Sequence, residues 1–71
     1  MNTTYEIKRS VNNKTVFIRR SYNIHNDFFI LEETEIMDIN KKVVYSEINY
    51  LNLKEYTTRI NNMIRQGAIP A

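Results

Sequence analysis

Asn12 and Asn13 stand between two runs in which apolar and polar residues alternate, and this fixes how the first third of the chain must fold. Before the pair, Tyr5, Ile7, Arg9 and Val11 alternate with Thr4, Glu6, Lys8 and Ser10. After it, Val16, Ile18, Tyr22 and Ile24 alternate with Thr15, Phe17, Arg19 and Ser21. A period of two is that of a strand with one buried face. Asparagine tolerates a positive φ better than most residues, so Asn12-Asn13 predicts a two-residue hairpin turn. That turn sets Val11 opposite Lys14, Arg9 opposite Val16, Ile7 opposite Ile18 and Tyr5 opposite Arg20, with the apolar sets of both strands on one face. On the other face Glu6 meets Arg19 and Lys8 meets Phe17. These are an ion pair and a cation–π pair, so two independent patterns support the same register.

Residues 23–27 read as a connection. Phe28 to Met37 and Lys42 to Tyr50 then form a second antiparallel pair about Asp38, Ile39, Asn40 and Lys41. A register with Ile36 opposite Val44 and Glu32 opposite Ile48 groups Phe28, Ile30, Ile36, Val44, Ile48 and Tyr50 on the core side. The opposite side then holds Phe29, Leu31, Met37, Val43 and Tyr45 with Glu33, Glu35 and Glu47, a set unusually apolar for a surface facing only water. Next, Leu53, Tyr56, Ile60, Met63 and Ile64 fall on one stripe of an α-helix. Asn52 and Glu55 have capping-box spacing, and Leu51 and Tyr56 occupy the staple positions. Arg65, the single glycine Gly67 and the single proline Pro70 mark the end. The expected fold is α+β: a four-stranded antiparallel meander (strands about 4–11, 14–23, 28–37 and 42–50) with one C-terminal helix (about 53–66) packed on one face, and a short tail over 67–71.

With 71 residues the chain makes a single domain spanning 1–71. It has no cysteine, so disulfides and thiolate metal sites are excluded, and packing or a partner must supply the stability. One glycine, placed at the helix end, leaves no phosphate-binding loop, dinucleotide fingerprint or nucleophile elbow. No apolar run reaches the length of a membrane helix, and the polar residues behind Met1 argue against a secretory leader, so a cytoplasmic location is expected. His25 and Asp27 can be drawn as a His-x-Asp pair, but a lone histidine in a polar connection reads as a solvated loop residue. Glu33 and Glu35 share a strand face, and with Glu32 they read as a solvated acidic rim rather than a divalent-cation site. No catalytic, cofactor or metal residue is assigned, and an enzyme is not expected.

Charge is laid out in blocks. Lys8, Arg9, Lys14, Arg19 and Arg20 precede an acidic stretch of Asp27, Glu32, Glu33, Glu35 and Asp38, after which the balance is again basic. One helix covers one face of a sheet, so the other face, with Lys8, Phe17, Arg19, Phe29, Leu31, Met37, Val43 and Tyr45, is the expected partner-binding surface. The expected function is that of a small non-enzymatic binding protein that occupies a surface of a protein partner as inhibitor or adaptor, alone or as a homodimer. The richness in asparagine and isoleucine suits an AT-rich genome such as that of a phage or mobile element, where such inhibitors are common. The alternative is single-stranded nucleic-acid binding through the basic and aromatic face of the first hairpin. In element order alone, four strands and a helix are similar to the dimeric single-stranded-DNA-binding transcriptional coactivators.

Overall fold

The computed structural model describes residues 2–24 and 29–71. The elements run β1 (Asn2–Val11), β2 (Lys14–Ile24), β3 (Ile30–Met37), β4 (Val43–Leu51), α1 (Leu53–Arg65) and β5 (Ile69–Pro70). All five strands form one antiparallel sheet in the order β4-β3-β2-β1-β5. The meander and helix are as expected, with a short fifth strand added along β1. Phe28, placed in the third strand from sequence, and His25 and Asp27 lie outside the described residues.

The first hairpin has the expected register throughout, from Val11↔Lys14 to Tyr5↔Arg20. Asn12 and Asn13 both take positive φ, 51° and 64°, the backbone whose twist matches that of a strand pair.

The second hairpin begins as expected and then departs. Met37 pairs with Val43, as the predicted register requires, but the next pair is Ile36 with Tyr45. Val44 is an extra residue in β4, a bulge, and one extra residue turns every later side chain to the other face. Glu32 therefore meets Asn49 instead of Ile48. Tyr45 and Glu47 move to the helix-bearing face, while Ile48 and Tyr50, expected in the core, point away from it. The connection itself is held by Asp38, whose Oδ1 accepts from the backbone N–H of Asn40 (2.9 Å) and Lys42 (3.0 Å). Lys41 sits there at φ 66°, uncommon for a residue with a side chain.

The helix forms where capping predicts. Asn52 Oδ1 accepts from Glu55 N (2.8 Å) and Glu55 Oε1 from Asn52 N (3.0 Å), a complete capping box. At the other end Gly67 N donates to Ile64 O and Ala68 N to Met63 O, the paired bonds of a Schellman motif, and Gly67 takes the φ of 86° that this motif needs. The turn directs the tail back along β1, where Ile69 pairs with Glu6, Pro70 with Tyr5, and Ala71 N donates to Thr4 O. A proline fits such an edge strand because no ladder bond is asked of its nitrogen.

The core lies under the helix. Tyr22, Ile30 and Leu51 are buried together, with Tyr5, Tyr56 and Ile60 packed against them. Tyr56 meets the Tyr22 ring edge-on, with centroids 5.3 Å apart. Met63 is also buried, but Leu53 (71% exposed) and Ile64 are not, so the helical stripe is narrower than its sequence implies. Arg59 flanks the stripe on the side opposite Leu53 and Ile64 and reaches the sheet. Its Nη1 donates to both oxygens of Glu32 (3.0 and 3.3 Å), a carboxylate with 0% exposure that also accepts from Tyr22 Oη (2.8 Å) and Asn49 Nδ2 (3.4 Å). Beside them, Arg20 Nε reaches Thr34 Oγ1 at 3.3 Å, and its Nη1 lies 3.5 Å from Met63 Sδ.

Tyr22→Phe is expected to cost about 1 to 3 kcal/mol, because it withdraws one donor from a carboxylate that water does not reach. Met63→Ala should cost about 2 to 5 kcal/mol through the cavity it leaves. Leu53→Ala, on the same nominal stripe, should stay within about 0.5 kcal/mol of the parent. Urea midpoints of the three variants check the assignment of buried positions.

Candidate interaction surface

The face away from the helix has two ends of different character. At the turn end, Glu6 Oε1 accepts from Arg19 Nη2 (3.2 Å), the ion pair expected from the strand register, and Glu6 Oε2 accepts from Lys41 Nζ (2.7 Å). Lys41 Nζ also stands 3.8 Å from the centroid of the Phe17 ring. The cation over Phe17 is thus Lys41 instead of Lys8, its strand partner, because the positive φ at Lys41 carries that side chain from the turn back over the sheet. Met37, opposite Phe17, is only 2% exposed. Arg19 Nε is buried there with no hydrogen-bond partner. This end is engaged with itself. The Lys41 ammonium, helped by Arg19 against partial desolvation, holds the Glu6 carboxyl below the ordinary glutamate value of 4.5.

The other end is open and apolar. Leu31 lies opposite Tyr50, and the half-buried Phe29 ring meets Tyr50 edge-on at 5.1 Å. Tyr50 and Ile48 remain 65% and 60% exposed, and Val43 and Val44 are exposed further along the same strand. Tyr45 is exposed too, but on the helix-bearing face, where its hydroxyl donates to Glu47 Oε2 (3.2 Å). The neighbouring Glu47 charge raises the Tyr45 phenol pKa.

Both sheet edges matter to what this surface can do. β4 is the last strand on one side, and its nine residues, Val-Val-Tyr-Ser-Glu-Ile-Asn-Tyr-Leu, include one charge, Glu47. The edge at β1 is treated differently. β5 covers Tyr5 and Glu6, while the stretch beyond carries Lys8 and Arg9, the latter hydrogen-bonded to Gln66. Charged side chains and a proline are the usual means of discouraging edge pairing, and β4 carries neither in quantity.

Of the residues expected on the binding face, Lys8, Phe17, Arg19, Leu31, Met37 and Val43 lie on it by register, with Phe29 against Tyr50 at its open end. Tyr45 does not belong there, since the bulge has turned it to the helix side. Ile48 and Tyr50 take its place, and a bulge marked by no glycine hid them. Glu32 faces the helix while Glu33 and Glu35 face away, so the three carboxylates do not converge. Among the described residues no group of three or more His, Cys, Asp and Glu side chains is placed to hold a metal ion. Comparison with protein-family models, curated proteins and solved structures gives no match.

Because Glu6 has a depressed pKa, the stability it contributes is present above the unfolded glutamate value and is lost as the pH falls through its folded value. Lys41→Gln is therefore expected to lower the urea midpoint at neutral pH. The gap from the parent should narrow as the pH falls below the ordinary glutamate value. A gap that is constant down to strongly acidic pH would assign the Lys41 contribution to its contact with Phe17 alone.

Proposed function

We propose that this chain is a small non-enzymatic binding protein that acts, as inhibitor or adaptor, by occupying a surface of a protein partner. Its contact surface is the β4 edge with the strip of Phe29, Leu31, Ile48 and Tyr50 beside it. The observation that carries this reading is the exposure of Ile48 and Tyr50 on a nine-residue edge strand with a single charge. Such an edge offers a ladder of backbone donors and acceptors, which give affinity to an added strand, while the side chains that alternate along it give selectivity. The state of the basic face supports a protein over a single-stranded nucleic acid. A base stacks on an open aromatic ring, and the Phe17 ring is occupied by Lys41, which with Arg19 is already engaged by Glu6.

The immobilised protein should retain a protein partner from an extract of its own host, and Tyr50→Glu should lose it while keeping the parent's circular dichroism and urea midpoint. Retention should survive nuclease treatment and change little between low and moderate salt. A bound fraction that is removed by nuclease and falls steeply with salt would replace this reading with the nucleic-acid one.

A further inference from the structure

We infer that the partner of the β4 edge is a second copy of this chain, joined by antiparallel β4-to-β4 pairing about a two-fold axis through Ile48. This rests on the edge reading above and names its occupant.

The register follows from the strand itself. Beyond the bulge at Val44, the regular part of β4 runs from Tyr45 to Leu51, and its midpoint is Ile48. In a two-fold antiparallel pairing, facing residues share a sheet face, so the axis must pass through a residue and not between two. An axis through Ile48 uses the whole regular stretch: Ile48 faces Ile48, Glu47 faces Asn49, Ser46 faces Tyr50 and Tyr45 faces Leu51. Glu47 then meets an amide, and the exposed Ile48 side chains close on each other. An axis through Glu47 sets two carboxylates directly opposite, which is repulsive. An axis through Ser46 brings the bulge into the new ladder and leaves Tyr50 and Leu51 without facing residues on the partner strand.

Charge elsewhere permits the approach. The two Glu47 side chains, on the helix-bearing face, are diagonal neighbours about 7 to 8 Å apart and not directly opposed. On the other face Glu33, opposite Ile48 on β3, is the nearest acidic residue of each copy among the described residues. Three strand spacings separate the two copies of Glu33, about 14 Å, beyond the screening length of about 8 Å in physiological salt. The pairing adds roughly six to eight backbone hydrogen bonds and joins two five-stranded sheets into one.

Sedimentation across a concentration series tests the inference, and two single-cysteine variants test the register, since the chain has no thiol of its own. The parent should sediment as two 8.5 kDa chains at high concentration. Ile48→Lys, at a position that is 60% exposed, should keep the parent's circular dichroism and weaken self-association about 100-fold. Across the axis two Ile48→Cys residues have Cα atoms about 4.5 to 5.5 Å apart, within disulfide reach, so oxidised glutathione should link them. Two Ser46→Cys residues stand about 14 Å apart and should not link. Linking of Ser46→Cys in place of Ile48→Cys overturns the register. A parent that stays monomeric at every concentration overturns the second copy as occupant. In that event, loss of the captured host protein by Ile48→Lys keeps the edge as a docking site for another protein, and its retention removes the edge reading as well.

Discussion

Glu32 is the group on which the arrangement of sheet and helix depends. A carboxylate with no exposure is costly unless its oxygens are satisfied, and here its partners come from three other elements: Tyr22 of β2, Asn49 of β4 and Arg59 of α1. The donors fix the helix in two ways. Arg59 sets its rotation, so that Tyr56, Ile60 and Met63 turn toward the sheet and Leu53 and Ile64 turn away. Asn49 ties it to the register of the second hairpin, since only the shifted pairing brings an amide opposite Glu32. Burial, with the hydrogen bond to Glu32 adding to it, raises the Tyr22 phenol pKa, so that hydroxyl remains a donor across the physiological range. In a core whose buried apolar cluster is Tyr22, Ile30 and Leu51, this polar contact supplies geometric specificity that three side chains alone would not.

The bulge at Val44 is the second determinant, because it decides which side chains reach solvent. Without it, Ile48 and Tyr50 would lie under the helix and Tyr45 and Glu47 on the open face. With it, the core gains Asn49 as a ligand for Glu32, and the edge strand displays isoleucine and tyrosine. A single inserted residue thus couples the internal electrostatics of the domain to the character of its outer surface.

How much of this was legible follows from the kind of signal each element carries. The first hairpin was read residue for residue because alternation and turn chemistry agreed, with Glu6 opposite Arg19 as an independent check. The helix was read at both ends, since a capping box and a terminal glycine are local signals. In the second hairpin the facing of β3 is as expected throughout, and that of β4 is as expected only at Val43, before the bulge. Val43, Val44 and Tyr45 are all compatible with either face, so nothing in the pattern resisted a shift by one. Lys41 over Phe17 and the two-residue β5 were not legible because both are long-range contacts of a turn and a tail, where composition carries no periodicity. The candidate surface inherited these errors: its first-hairpin members were placed correctly, and Tyr45 stood where Ile48 and Tyr50 belong.

The unequal treatment of the two sheet edges bears on how any assembly would end. A sheet with two open edges and head-to-tail contacts grows without limit, and long apolar edges are the usual starting point of such growth. Here the helix end, through Gly67, sends Ile69 and Pro70 along β1, and Lys8 and Arg9 occupy the remainder of that edge. The proposed pairing at β4 would consume the one edge that is poor in charge, and an isologous contact of that kind closes at two copies. The same tail that adds a fifth strand to the fold therefore acts as a stop: it makes an exposed β4 compatible with a defined complex instead of a fibre, because the opposite side of the sheet presents a proline and two cations to any further strand.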